Sequence, residues 1–136
     1  MSFWNLTQRL SLILGVLLLA HAVGGMIVNP DFSVGSTATA ETWLWMDWNG
    51  WHALAGILLW TAGIAAAFRP RPARLFGLLF VATNLPIVIW MLFDPRPLGL
   101  FLLPTMADLI FHAAVVVIFA GALIIDRDAR TSAPAL

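Results

Sequence analysis

Leu10 to Val28 is an apolar run broken only by Ser11 and His21. Wound as a helix at ~1.5 Å per residue, it is long enough to cross a hydrocarbon core of ~30 Å. Three more such stretches follow, at about 49–68, 75–93 and 105–125. Inside a bilayer every backbone polar group needs an internal partner, so apolar runs of this length fold as helices. A chain of 136 residues that is 61% hydrophobic and only 10% charged is too apolar for a water-soluble domain. We therefore expect an all-α membrane protein, a single domain over 1–136 with four transmembrane helices and a polar tail at 126–136. A signal peptide is the competing reading of the first run, because Ala20-His21-Ala22 resembles a small-x-small cleavage site. We read it as a retained span.

The basic residues order these spans across the membrane. Arg9, Arg69, Arg71, Arg74, Arg127 and Arg130 fall on one side and only Arg96 on the other. By the positive-inside rule both termini and the 69–74 turn are expected to be cytoplasmic. Asp31, Glu41, Asp47, Asp94 and Asp108 then gather at the opposite, acidic face. The arginines form no continuous patch, which argues against nucleic acid as a partner. With no cysteine in the chain, a metal would have to be held by His, carboxylate or Met.

Between the spans the punctuation is mostly Pro, Gly, Ser and Thr. Asn29 to Asp47 reads as a loop ending in a tryptophan cluster, Trp43, Trp45, Trp48 and Trp51, suited to anchoring at the headgroup level. Pro70 and Pro72 mark a tight basic turn that makes the second and third spans antiparallel neighbours. Asn84 and Pro86 interrupt the third span, where the Pro should kink the helix and the Asn needs a partner within the bundle. The apolar middle of 94–104 should lie in the interface. Gly56 and Gly63, seven residues apart, mark one face for close helix approach.

The chain also reads as two copies of one hairpin in parallel orientation. Each return helix opens with an acid and a histidine: Asp47 and His52 in one, Asp108 and His112 in the other. His21, His52 and His112 are expected at one side of the bilayer, at depths within about a turn of one another. Ionisable groups inside a membrane are costly and normally face the bundle interior in pairs. The bland reading is neutral imidazoles hydrogen-bonded to carboxylates, to Asn49 or Asn84, or to backbone, tying helices together. The sharper one is a metal site on His52, His112, Asp47 and Asp108, or a haem ligated by two of His21, His52 and His112. Nucleophile elbows, phosphate loops and suggestive Ser–His pairs do not occur, so we expect no catalysis.

The run Asn49-Gly-Trp-His52-Ala-Leu-Ala-Gly56, and Ala107-Asp108-Leu-Ile-Phe-His112 after an apolar Gly-Leu-Phe-Leu-Leu-Pro loop, resemble a bacterial four-helix membrane family labelled domain of unknown function 4383. That resemblance implies a four-helix integral membrane fold and, as the label says, no particular activity. Together these readings point to a small non-catalytic protein of a bacterial cytoplasmic membrane. It would lie in the lipid bilayer as an accessory subunit, against a larger complex or a second copy of itself. The alternative is a haem- or metal-binding protein.

Overall fold

The computed structural model describes residues 4–94 and 105–131. Four helices carry the fold: α1 (Leu6–Val28), α2 (Gly50–Ala67), α3 (Pro70–Met91) and α4 (Met106–Thr131). Each has a stretch long and apolar enough to cross a membrane. The shortest, α2, has 18 residues and measures about 27 Å at ~1.5 Å per residue. α1 packs closely on α2 and α3 on α4, and α1 touches all three others. The expected segment at 95–104 with Arg96, and tail residues 132–136, lie outside the described residues.

Asn5 starts α1 with a reciprocal capping box: its side chain accepts the Gln8 N–H at 2.8 Å, and the Gln8 side-chain Oε1 accepts the Asn5 N–H at 3.2 Å. A second cap comes from across the bundle. Asp126 on α4 accepts the Leu6 and Thr7 N–H groups at 3.0 and 2.8 Å, and the Thr7 hydroxyl as well. A carboxylate there satisfies otherwise orphaned donors and meets the positive end of the helix dipole. Gln8 Nε2 donates to the Ala67 carbonyl at 2.9 Å, which closes the end of α2. Asp126 therefore belongs to the bundle and not to a tail, and helix continues to Thr131.

The basic turn also differs from expectation. Pro70 is the first residue of α3, where a missing N–H costs nothing and the fixed φ suits a helix start. The third span thus begins within the Arg69–Arg74 segment, leaving only Phe68 and Arg69 between α2 and α3. Pro86 lies inside α3 without ending it. Asn84 finds partners on its own helix, donating to the Phe80 carbonyl at 3.0 Å and to the Thr83 hydroxyl at 3.3 Å. Midway along the bundle, Trp60, Phe76, Phe80 and Phe119 form an aromatic core, with Phe80 and Phe119 centroids 5.0 Å apart.

The Trp-rich loop is not irregular at its end. β1 (Glu41–Trp43) and β2 (Met46–Trp48) form an antiparallel hairpin in which Trp43 faces Met46 and Glu41 faces Trp48. Leu44 makes the turn at φ 59°, a left-handed conformation that strains a leucine by about 1–2 kcal/mol. Trp48, expected at the headgroup level, is buried to 4% exposure. It lies flat on Gly25 of α1, where any Cβ would overlap its ring.

Candidate functional site

At the hairpin end two helix starts present their third residues to one space. Asn49 caps α2 by accepting the His52 N–H at 2.9 Å. Thr105 precedes α4 and closes a capping box with Asp108. The Thr105 N–H donates to Asp108 Oδ2 at 3.2 Å, and the Asp108 N–H donates to Thr105 Oγ1 at 3.3 Å. The two return helices therefore align cap to cap, His52 matching Asp108. That replaces the His52-to-His112 match expected of the repeat, whose spacing differed by one residue. The Thr-x-x-Asp signature was legible, but its role in orienting Asp108 was not drawn from it.

Capping occupies one oxygen of Asp108 and leaves the other bare. Oδ2 faces Thr105, whereas Oδ1 has no hydrogen-bond partner among the described residues, in a residue only 1% exposed. The Asp108–His112 hydrogen bond expected from their i, i+4 spacing is thus not formed. One ligand atom each from His52, Asp108 and His112 lies within 4.8 Å of the others. The rings of His52 and His112 are near-parallel, with centroids 6.3 Å apart. Asp47 is not part of this group. Its carboxylate turns outward to accept the Thr42 hydroxyl at 2.7 Å, and only its carbonyl reaches inward, 3.1 Å from His52 Nδ1.

That last contact fixes the chemistry of His52. A carbonyl can only accept, so Nδ1 carries the proton and Nε2 keeps its lone pair. Trp48 stacks on the same ring at 4.5 Å and 23°, which holds its plane. A backbone carbonyl behind one nitrogen and a locked ring are the outer contacts that metal-ligating imidazoles commonly have.

His21 takes a separate place. Its ring stacks on Trp45 at 4.9 Å and meets Trp48 edge-on at 4.9 Å, so Trp48 stands between it and His52. Neither His21 nitrogen has a hydrogen-bond partner among the described residues, and the residue is 7% exposed. All three histidines, Asp108 and Asn84 line one cavity of about 300 Å³, together with Trp48, Trp60 and Phe111. Sequence reasoning missed Trp48, Trp60 and Thr105 as parts of this site. Outside the spans, Asp31 is held down to about 2 by the Ser33 hydroxyl, then by Thr39 and the Ser33 N–H, and so it orders the preceding loop as an anion.

Four helices long and apolar enough to span a membrane, with a largely buried histidine–carboxylate group lining a cavity near a β-hairpin, define a small integral membrane protein with a candidate ligand site. The chain belongs to the family described as a domain of unknown function, DUF4383, which it matches over residues 8–125. No curated protein and no solved structure matches it.

Proposed function

We propose that this protein binds a divalent transition-metal ion within the membrane, through His52, Asp108 and His112. The observation that carries this reading is the bare Oδ1 of Asp108 in a group whose ligand atoms lie within 4.8 Å of one another. A buried acceptor without a partner costs about 1–3 kcal/mol, which a purely structural role would not leave in place. Two imidazoles and one carboxylate form a donor set used by zinc and by non-haem iron, with positions left open for water or a ligand. A haem fits less well, because a cavity of about 300 Å³ is at the small end of ligand pockets and a porphyrin exceeds it. An accessory subunit packed on a complex accounts for the apolar helix faces no better than lipid does, and leaves the bare oxygen unexplained.

The arginine distribution supports an orientation with both termini in the cytoplasm of a bacterial cell and the site toward the outside of its cytoplasmic membrane. A reporter fused after Leu136 should then read cytoplasmic and one inserted at Gly35 external.

Metal analysis and cobalt(II) absorption of protein purified in mild detergent without chelator test the binding itself. We expect one ion per chain in the wild type and none in His52→Ala or Asp108→Ala. A wild type that takes up no stoichiometric zinc, iron or cobalt overturns the proposal.

A further inference from the structure

The cavity holds more than the three metal donors use. Leu18, Leu59, Trp60, Ile87 and Met91 give it apolar walls, and His21 adds two nitrogens that bond to nothing. Because the ring is wedged between Trp45 and Trp48, it cannot swing to another partner without breaking that stack. Two bare polar atoms on a residue 7% exposed mark a place where a ligand supplies the missing contacts.

The shape of the lining narrows the ligand. Ala55 on α2 and Thr83 on α3 line the cavity and are themselves exposed, although both sit within spanning helices. The mouth therefore opens sideways, between α2 and α3, onto lipid. Among the described residues no arginine lines it, so a phosphate or carboxylate head would meet no counter-charge from them. A bare acyl chain would fill the space and leave both His21 nitrogens as they are. A neutral ring carrying oxygen meets both demands. Aromatic walls favour a flat ring, and a neutral imidazole offers one donor and one acceptor.

We infer that this cavity binds the headgroup of a lipid-soluble quinone or quinol, entering from the bilayer between α2 and α3 and hydrogen-bonded to His21. The imidazole N–H donates to a quinone carbonyl, and its other nitrogen accepts from a quinol hydroxyl. The inference stands on His21 and the lateral mouth, and does not require the metal.

Decylubiquinone titrated into the purified protein in detergent, read by tryptophan quenching, tests it. Saturable binding of one molecule per chain is expected, with decanol failing to compete. His21→Phe, which keeps a ring and removes both nitrogens, should weaken binding about tenfold, the loss of roughly one hydrogen bond. The carbonyl infrared band of the bound quinone should shift to lower frequency than in detergent alone, a readout that needs no variant. Binding should persist after the protein is stripped with EDTA, so that loss of metal and loss of quinone can be told apart. Non-saturable partitioning, equal competition by decanol, an unshifted carbonyl band, or undiminished affinity in a folded His21→Phe protein would each overturn the inference.

Discussion

Among the described residues, each end of the bundle buries one carboxylate, and the two are treated in opposite ways. Asp126, 8% exposed, closes the arginine-rich end by accepting two backbone N–H groups and a hydroxyl from the start of α1. Asp108, 1% exposed, closes its own helix with one oxygen, while the other has no hydrogen-bond partner among the described residues and the carboxylate sits in a group with two histidines. The same side chain is a finished contact at one end and an unfinished one at the other. Buried polar groups are normally satisfied, so the end that departs from this is where function is expected.

The sharpest way to break the contrast is to remove each carboxylate. Asp126→Ala strips an acceptor from three donors of α1 and should cost about 3 kcal/mol in detergent unfolding. Asp108→Asn keeps an oxygen for Thr105 and nearly the same shape, so in the metal-free protein its cost should stay within about 1 kcal/mol. Equal losses at the two positions would show that Asp108 is as fully engaged as Asp126, and the distinction between the ends would disappear.

A smaller effect concerns how tightly the open end is built. A Cβ on Gly56 would come 2.9 Å from Ala22 Cβ of α1, and Gly56 also lines the cavity. Gly56→Leu should therefore destabilise by about 1–3 kcal/mol through overpacking and block metal uptake as well. Leu58→Ala, on a side chain 63% exposed to the surroundings, should cost less and leave uptake intact. Equal thermal midpoints for these two variants would refute the close approach of α1 and α2 at this face.

What the sequence made legible follows from how far apart the cooperating residues lie. The four spans could be read because each is a continuous local pattern, and His52 and His112 because ionisable residues are rare in such runs. Asp126 was assigned to a polar tail, since its partners at Leu6 and Thr7 lie at the opposite end of the chain. No local rule connects the two. The hairpin was missed for a different reason: its strands are only three residues each, and its turn places a leucine where Gly or Asn would be the usual signal. Asp47 was expected among the metal donors from its nearness to His52 in sequence. The hairpin instead pairs Thr42 with Asp47, and the Thr42 hydroxyl holds that carboxylate outward.

The finest test concerns the criterion itself, because among the described residues two bare polar atoms, Ser11 Oγ and Trp43 Nε1, lie away from the site. Ser11 Oγ is buried in α1 without a partner, much as His21 is. A serine in a helix can turn its hydroxyl to the carbonyl four residues back, here that of Thr7, so its orphan state is cheap to relieve. The His21 ring, stacked on Trp45 and met edge-on by Trp48, cannot turn to a new partner without breaking those contacts. Ser11→Ala should thus change stability by no more than about 0.5 kcal/mol and leave metal and quinone binding untouched. His21→Phe, measured without ligand, should be neutral or stabilising by up to about 1 kcal/mol, because the two unpaired nitrogens are removed and the ring is kept. A loss of stability on His21→Phe larger than that on Ser11→Ala would mean that His21 already has its partner in the ligand-free protein, and the open end would be as closed as the other.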